Sequence, residues 1–386
     1  MTTLTFSIFA YGISYETLKT HTKNHAKTLQ SQALSLQTTQ EENRILLRTQ
    51  NPMLSIEASN FNPKNDSSTL GYAVTASQNI RTNNYYEGLQ KKASATTLLQ
   101  QAYINEGKAG YFQTLELLYT QYVYQSKLLS LLEQEYKLSH NVTNMVQQRY
   151  KNGSENKVAY LQAKTETLIL KTQMYTTKQQ MDTLYYQLLA VAGLTTNTPL
   201  EKKFIYSISA QLSMDKRENP KQQILSAKEK LLQIQIQTTQ STFESYELYS
   251  SIEDEPDQSI VRIGVSLPIP LFNDKSEEIT LTKLKIQQLT LDKEKLFIDI
   301  RTNKKILLSS LNSLMEQYTS LQALKQEQVI LNDLLQEGYE IAQGSIFVMM
   351  NAKNKLIQTQ KSLLHIQKEI NNKKIDLRFL LGTYHD

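Results

Sequence analysis

The chain of 386 residues contains no cysteine and no tryptophan, only 11 glycines and 7 prolines, and no long apolar run. Without cysteine there is no disulfide, no thiolate metal site and no lipid-modified N-terminal cysteine. Without a stretch of ~18 apolar residues there is no membrane-spanning helix, so a bilayer could be crossed only by strands. Scarce glycine and proline, with Gln, Leu, Thr and Lys abundant, is the make-up of long helices. A hydrophobic content of 40% with no tryptophan argues for narrow apolar seams rather than one large core. The 42 basic and 37 acidic residues leave a net charge of +5. They are spread along the helical stretches, which reads as solvated faces and argues against a nucleic-acid-binding stripe.

What the chain does have is an internal repeat. Tyr150 to Ala163 (YKNGSENKVAYLQA) and Tyr339 to Ala352 (YEIAQGSIFVMMNA) each place a Tyr thirteen residues before an Ala-Lys pair, with a turn-forming Gly between. An offset of 189 residues relates the copies and also carries Gly193 onto Gly382. The spacing predicts a duplicated unit of helix, two strands, long helix, turn and return helix. Residues 14–193 form the first copy, with one helix over 14–50, strands over 52–61 and 70–80, and a helical hairpin over 85–193. Residues 194–219 link the copies. Residues 220–386 form the second copy, with a helix, strands over 243–252 and 259–272, and a hairpin over 276–382. Residues 1–13 have two readings, the remnant of a secretory signal or the frayed start of the first helix.

Each boundary has a physical reason. Asn51-Pro52 ends the first helix because the residue before proline is pushed out of the helical region. Met53 to Phe61 then alternates apolar and polar side chains, as a strand with one greasy face does. The same alternation is clearest at Val261, Ile263, Val265, Leu267 and Ile269, which we read as a membrane-facing strand. Glu253 to Gln258 reads as an acidic turn before it. Between Leu115 and Tyr150 a strict three-four spacing marks a heptad seam, which predicts packing against another helix. Shifted by 189 residues, the seam recurs from Leu307 to Tyr339 without an insertion. Four strands of ~9–11 residues suit a tilted crossing of a bilayer but cannot close a barrel alone. Three copies would supply twelve.

Four features taken in order resemble one known family. They are Asn51-Pro52 before the first strand, the RIGVSLPIPLF run from Arg262 to Phe272, the two Tyr-to-Ala turns, and the Gly closing each half. Together they are similar to the TolC family of outer-membrane efflux proteins, and the PIPLF ending is most similar to the branch serving heavy-metal pumps. The resemblance implies a mainly α fold with two β-strand pairs: a trimeric, 12-stranded outer-membrane β-barrel continued by a long periplasmic α-helical barrel. It implies a passive exit duct for solutes, metal ions or drugs among them, in the outer membrane of a Gram-negative-type cell, with most of the chain in the periplasm. The implied partners are two further copies in a homotrimer, a periplasmic adaptor, an inner-membrane transporter and outer-membrane lipid. No cofactor and no nucleic acid are implied.

The same resemblance places a periplasmic gate at the two turns, with Arg149, Tyr150, Gly153, Tyr339, Gly344, Val348 and Asn351 as its residues. This chain departs from the family pattern there. Acidic residues are common at the positions of Val348 and Asn351, which implies a neutral constriction here. The family's acidic partner of the second-repeat Tyr is Ala159 in this chain, which leaves Arg149, Glu155 and Lys157 as candidate partners of Tyr339. Met349 and Met350, at helical spacing, read as packing rather than as a pore or metal box. His21 and His25 lie at i and i+4 without the glutamate of a metalloprotease motif, and read as an exposed helical pair. No nucleophile with a base, phosphate loop or metal cluster is visible, so the chain does not read as an enzyme. Two other readings are a type I protein-secretion duct and a periplasmic coiled-coil scaffold or adaptor.

Overall fold

The computed structural model describes residues 12–62, 68–195, 197–209, 218–241, 243–269, 272–341 and 344–384. The readings of residues 1–11, of the turn at 63–67, of Pro270 and Leu271, and of Ala342 and Gln343 fall outside these. The chain begins with α1 (Tyr15–His25) and α2 (Lys27–Leu47) where one unbroken helix was expected. The break is Ala26, which is extended at φ −64° and ψ 121°. Periodicity cannot see it, because Ala26 is a helix-forming residue type and the Gln30 N–H still bonds to its carbonyl at 3.1 Å. Gly193 lies against the chain here, so closely that a Cβ on it would stand 3.0 Å from the His25 carbonyl oxygen.

Strands β1 (Met53–Phe61) and β2 (Thr69–Arg81) come next, then α3 (Asn83–Lys151), α4 (Lys157–Ala192) and α5 (Pro220–Thr239). Strands β3 (Ser245–Glu255) and β4 (Gln258–Ser266) precede α6 (Ser276–Glu340) and α7 (Ile346–Leu380). Two strand boundaries differ from expectation. The acidic stretch 253–258 is mostly strand, because Glu255 pairs with Gln258 and leaves only Pro256-Asp257 as the turn. β4 stops at Ser266 rather than 272, just before Leu267-Pro268. Proline has no N–H for the ladder and restricts the residue ahead of it. Leu267 and Ile269 therefore lie beyond the strand.

The four strands form one antiparallel sheet in the order β1-β2-β3-β4. β2 pairs with β3 from Tyr72↔Asp254 to Arg81↔Ser245, joining strands far apart in sequence. The register lines up Leu54↔Ala76, Ile56↔Val74, Val74↔Ile252 and Ile252↔Val261, so these apolar side chains share one face. Leu248↔Val265 and Ser250↔Ile263 extend that face. The other face carries Glu57, Thr75, Ser77, Glu247, Tyr249, Ser251, Glu253 and Arg262.

By contact the chain divides into two compact units, each assembled from both halves of the sequence. One comprises residues 1–31, 107–219 and 299–386, and the other 32–106 and 220–298. In the second, Asn43 Nδ2 donates to the Ala93 carbonyl and to Thr97 Oγ1, both at 2.9 Å, tying α2 to α3. In the first, Leu18, Leu115, Tyr119, Val123 and Leu188 form a fully buried core.

The predicted seams point inward. Leu115, Tyr122, Gln125, Leu129, Leu132, Ser139, Thr143 and Val146 are buried, and the polar members find partners on α4. Gln125 donates to Gln180 at 3.1 Å, while Ser139 and Thr143 each lie 2.8 Å from Thr167 Oγ1. On α6, Leu311 and Tyr339 are buried and the other seam positions are half-buried. Glycines close three helices in one way. Gly153, Gly193 and Gly382 have φ of 75°, 68° and 70°, and each next residue's N–H reaches back to a carbonyl five positions earlier. This is the left-handed helix stop that glycine adopts without a Cβ penalty.

Candidate functional site

The two hairpin turns are built from helix ends. α3 stops at the left-handed Gly153, and α4 restarts under Asn156, whose Oδ1 accepts the Ala159 N–H at 2.8 Å. At the other turn Ser345 stands in extended conformation before α7 and makes no side-chain cap. Gly344 is needed for close approach, since a Cβ there would lie 2.8 Å from the Tyr339 nitrogen.

Tyr339 is the centre of the cluster. Its ring is buried among Val146, Ala159, Ala163, Ile346, Met349 and Met350. The Arg149 guanidinium stands 4.3 Å above the ring and donates through Nη2 to the Glu340 carbonyl at 3.1 Å. The Tyr339 hydroxyl reaches Glu155 Oε2 at 3.5 Å. Burial pushes the Tyr339 phenol up; Arg149 opposes this and Glu155 reinforces it. Of the three candidate partners, Arg149 and Glu155 therefore touch Tyr339. Tyr150 stacks on Tyr160 with ring centres 6.0 Å apart and planes 2° from parallel. Val348 and Asn351 share an exposed stripe of α7 with Phe347, whereas Met349 and Met350 face inward and pack.

The second candidate surface is the apolar face of the sheet. Ile263 is 85% exposed, Ile56 71% and Val261 68%, and Leu54, Tyr72, Ile252 and Val265 are also exposed. On the polar face Arg262 pairs with Glu253 directly. Tyr249 lies over Gly264, where a Cβ would come within 2.4 Å of the ring.

Sequence reasoning missed a buried carboxylate. Glu116 on α3 is fully buried and receives the hydroxyls of Tyr15 at 3.0 Å, Tyr206 at 3.0 Å and Tyr384 at 2.6 Å. Arg378 Nη1 completes the set at 3.0 Å. Burial, then the Glu116 charge, pushes all three phenols well up. The only local signal was a Glu immediately after the seam residue Leu115. A second buried acid, Glu135, lies 4.0 Å from Lys353 Nζ, and one of its oxygens has no hydrogen-bond partner. Burial raises Glu135 and lowers Lys353 and Lys361, against their mutual attraction. Among the described residues no group of three or more side chains could hold a metal ion, and no helix is long and apolar enough to cross a membrane.

No protein-family model matches the sequence, and neither does any curated protein. Solved structures do match. The outer membrane protein VceC from Vibrio cholerae superposes with a TM-score of 0.80 at 13% identity, over 95% of each chain. The outer-membrane channel OprN gives 0.81 at 10% identity, over 96% of this chain and 90% of that one. CusC, whose structures concern folding and transmembrane channel formation, gives 0.78 at 16% identity, over 96% and 93%. The chain therefore has the mainly α fold with a small β part that these outer-membrane channel proteins share.

Proposed function

We propose that this chain is one subunit of an outer-membrane channel, the passive exit duct of a tripartite efflux system. The observation that carries the reading is the four-stranded sheet. A continuous apolar face is open to the surroundings on all four strands while the opposite face is polar. Such a division matches lipid on one side and a wet bore on the other. β1 and β4 are edges with unpaired backbone groups, which lipid does not tolerate. Pairing β1 of one copy with β4 of the next satisfies them, and three copies give twelve strands. Strands of 9, 13, 11 and 9 residues reach the length a tilted crossing requires.

In this reading the helical unit lies in the periplasm, and the cluster around Tyr339 is the gate that an adaptor meets. Solute passes down the gradient set by an inner-membrane transporter. The chain supplies shape and a constriction, with Val348 and Asn351 offering a neutral lining, and it performs no chemistry.

The reading is tested by charging the apolar face. Arginine at the membrane midplane on a barrel's lipid face costs about 2–4 kcal/mol. Ile263→Arg with Val265→Arg is expected to abolish assembly in the outer-membrane fraction, whereas Glu57→Arg at an exposed position of the polar face leaves assembly intact. Unchanged assembly of the double variant would remove the sheet from the membrane.

A further inference from the structure

α4 carries a second seam on the side away from its core. Its buried face is Ala159, Ala163, Thr167, Leu170 and Thr177. Opposite stand Val158, Leu161, Leu168 and Tyr175, all exposed, and the exposed Thr165 and Thr172 fill the remaining three-four positions. Lys157, Lys164, Lys171 and Lys178 flank this stripe at a strict spacing of seven residues. Among the described residues none of these four lysines pairs with a carboxylate. Lys171 instead lies along the stripe, with its Nζ 5.9 Å from the Tyr175 ring centre. A heptad stripe open to the surroundings, with one sign of charge along its flank, is the surface of a helix that packs on a further helix of opposite charge.

The complement is on α6. Leu324, Leu331 and Leu334 form an exposed stripe beside its buried seam, and Glu327, Asp333, Glu337 and Glu340 are exposed along the same stretch. The two helices run in opposite directions, α6 toward its turn and α4 away from its own, and Ala159 of α4 packs level with Tyr339 of α6. Equal steps along both helices then bring Lys157 level with Glu340, Lys164 with Asp333 and Lys171 with Glu327, each to within one residue. Rotation about an axis along the helices keeps these heights, so the match also holds between neighbouring copies in a closed ring. We infer that α4 of one copy docks on α6 of the next, the lysines of the first facing the carboxylates of the second. This inference rests on the reading of the chain as one of several copies in a channel, and adds a helical interface to the pairing of β1 with β4. Exposed ion pairs contribute little singly, so the apolar stripes hold the helices together while the charges set partner, direction and register. An α4 placed on another α4 would set lysine against lysine, which disfavours the wrong pairing.

The chain has no cysteine, so cross-links report only the sites introduced. Leu168 and Leu331 stand level in the same way. In the detergent-purified Leu168→Cys/Leu331→Cys protein a short dimaleimide is expected to join chains into dimers and higher multimers, and neither single variant is joined. Lys164→Glu/Lys171→Glu is expected to lower the temperature at which the oligomer dissociates, and adding Glu327→Lys/Asp333→Lys to restore it. Misfolding of the reversed-lysine variant could not produce that rescue. An assembled oligomer in which the cysteine pair stays unlinked, or in which the reversed acids fail to rescue the reversed lysines, overturns the interface and leaves the channel reading standing. A wild type that stays monomeric in detergent contradicts the channel reading itself, and the interface falls with it.

Discussion

Tyr339 and Glu116 illustrate how single residues act here. Arg149 holds Tyr339 by a cation–π contact, worth about 0.5–2 kcal/mol depending on desolvation, so Arg149→Ala is expected to loosen the turn and raise resting conductance in bilayers. Val348→Asp and Asn351→Asp test the lining in the same recordings: each is expected to shift selectivity toward cations, and no shift in either variant moves the constriction elsewhere. Glu116 gives a pH prediction. The phenols of Tyr15, Tyr206 and Tyr384 are raised in the folded chain, so their stabilising contribution is intact below the unfolded value of about 10. It is lost as pH rises further, because the unfolded chain ionises first. Tyr384→Phe should cost about 1.5–3 kcal/mol at neutral pH, and its melting temperature should fall less than the wild type's between pH 9 and 11. A parallel decline in both proteins would detach the cluster from the alkaline transition. At Glu135 the two charges are desolvated without good geometry. Lys353→Met alone is expected to destabilise by about 3–5 kcal/mol, while Glu135→Gln with Lys353→Met is neutral or stabilising. Chemical denaturation of the three proteins measures both.

Among elements, what the sequence revealed was whatever leaves a periodic trace. The alternation from Val261 to Val265 became one face of β4, and the heptads became a largely buried seam on α3 and a mostly half-buried one on α6, because three-four spacing is itself the geometry of helix packing. The glycine stops were equally visible, since only glycine takes the left-handed turn cheaply. Gly193→Ala and Gly382→Ala should each cost about 1–2 kcal/mol from backbone strain, and more where the new Cβ meets the His25 or Glu218 carbonyl. Thermal melts of the two variants would expose any asymmetry between these sites. The clasp on Glu116 left no trace, because Tyr206, Arg378 and Tyr384 lie 90 to 268 residues away from it. The break at Ala26 left no trace either, because alanine is a good helix former. At the hairpin turns, Tyr339 and its candidates Arg149 and Glu155 were named through the family resemblance. Which of them touch was decided by three-dimensional packing.

For the molecule as a whole, the central claim is that the chain assembles into a water-filled pore through lipid. The fold alone is shared with outer-membrane channels at 10–16% identity, so the claim rests on the sheet's two faces and two open edges. Single-channel recording in a planar bilayer, with protein purified from the outer-membrane fraction, tests it most directly. Discrete conductance steps are predicted, increased in size or open time by Arg149→Ala and absent from Ile263→Arg/Val265→Arg preparations. A pure, assembled wild-type preparation that inserts no conducting unit at any voltage would contradict the account.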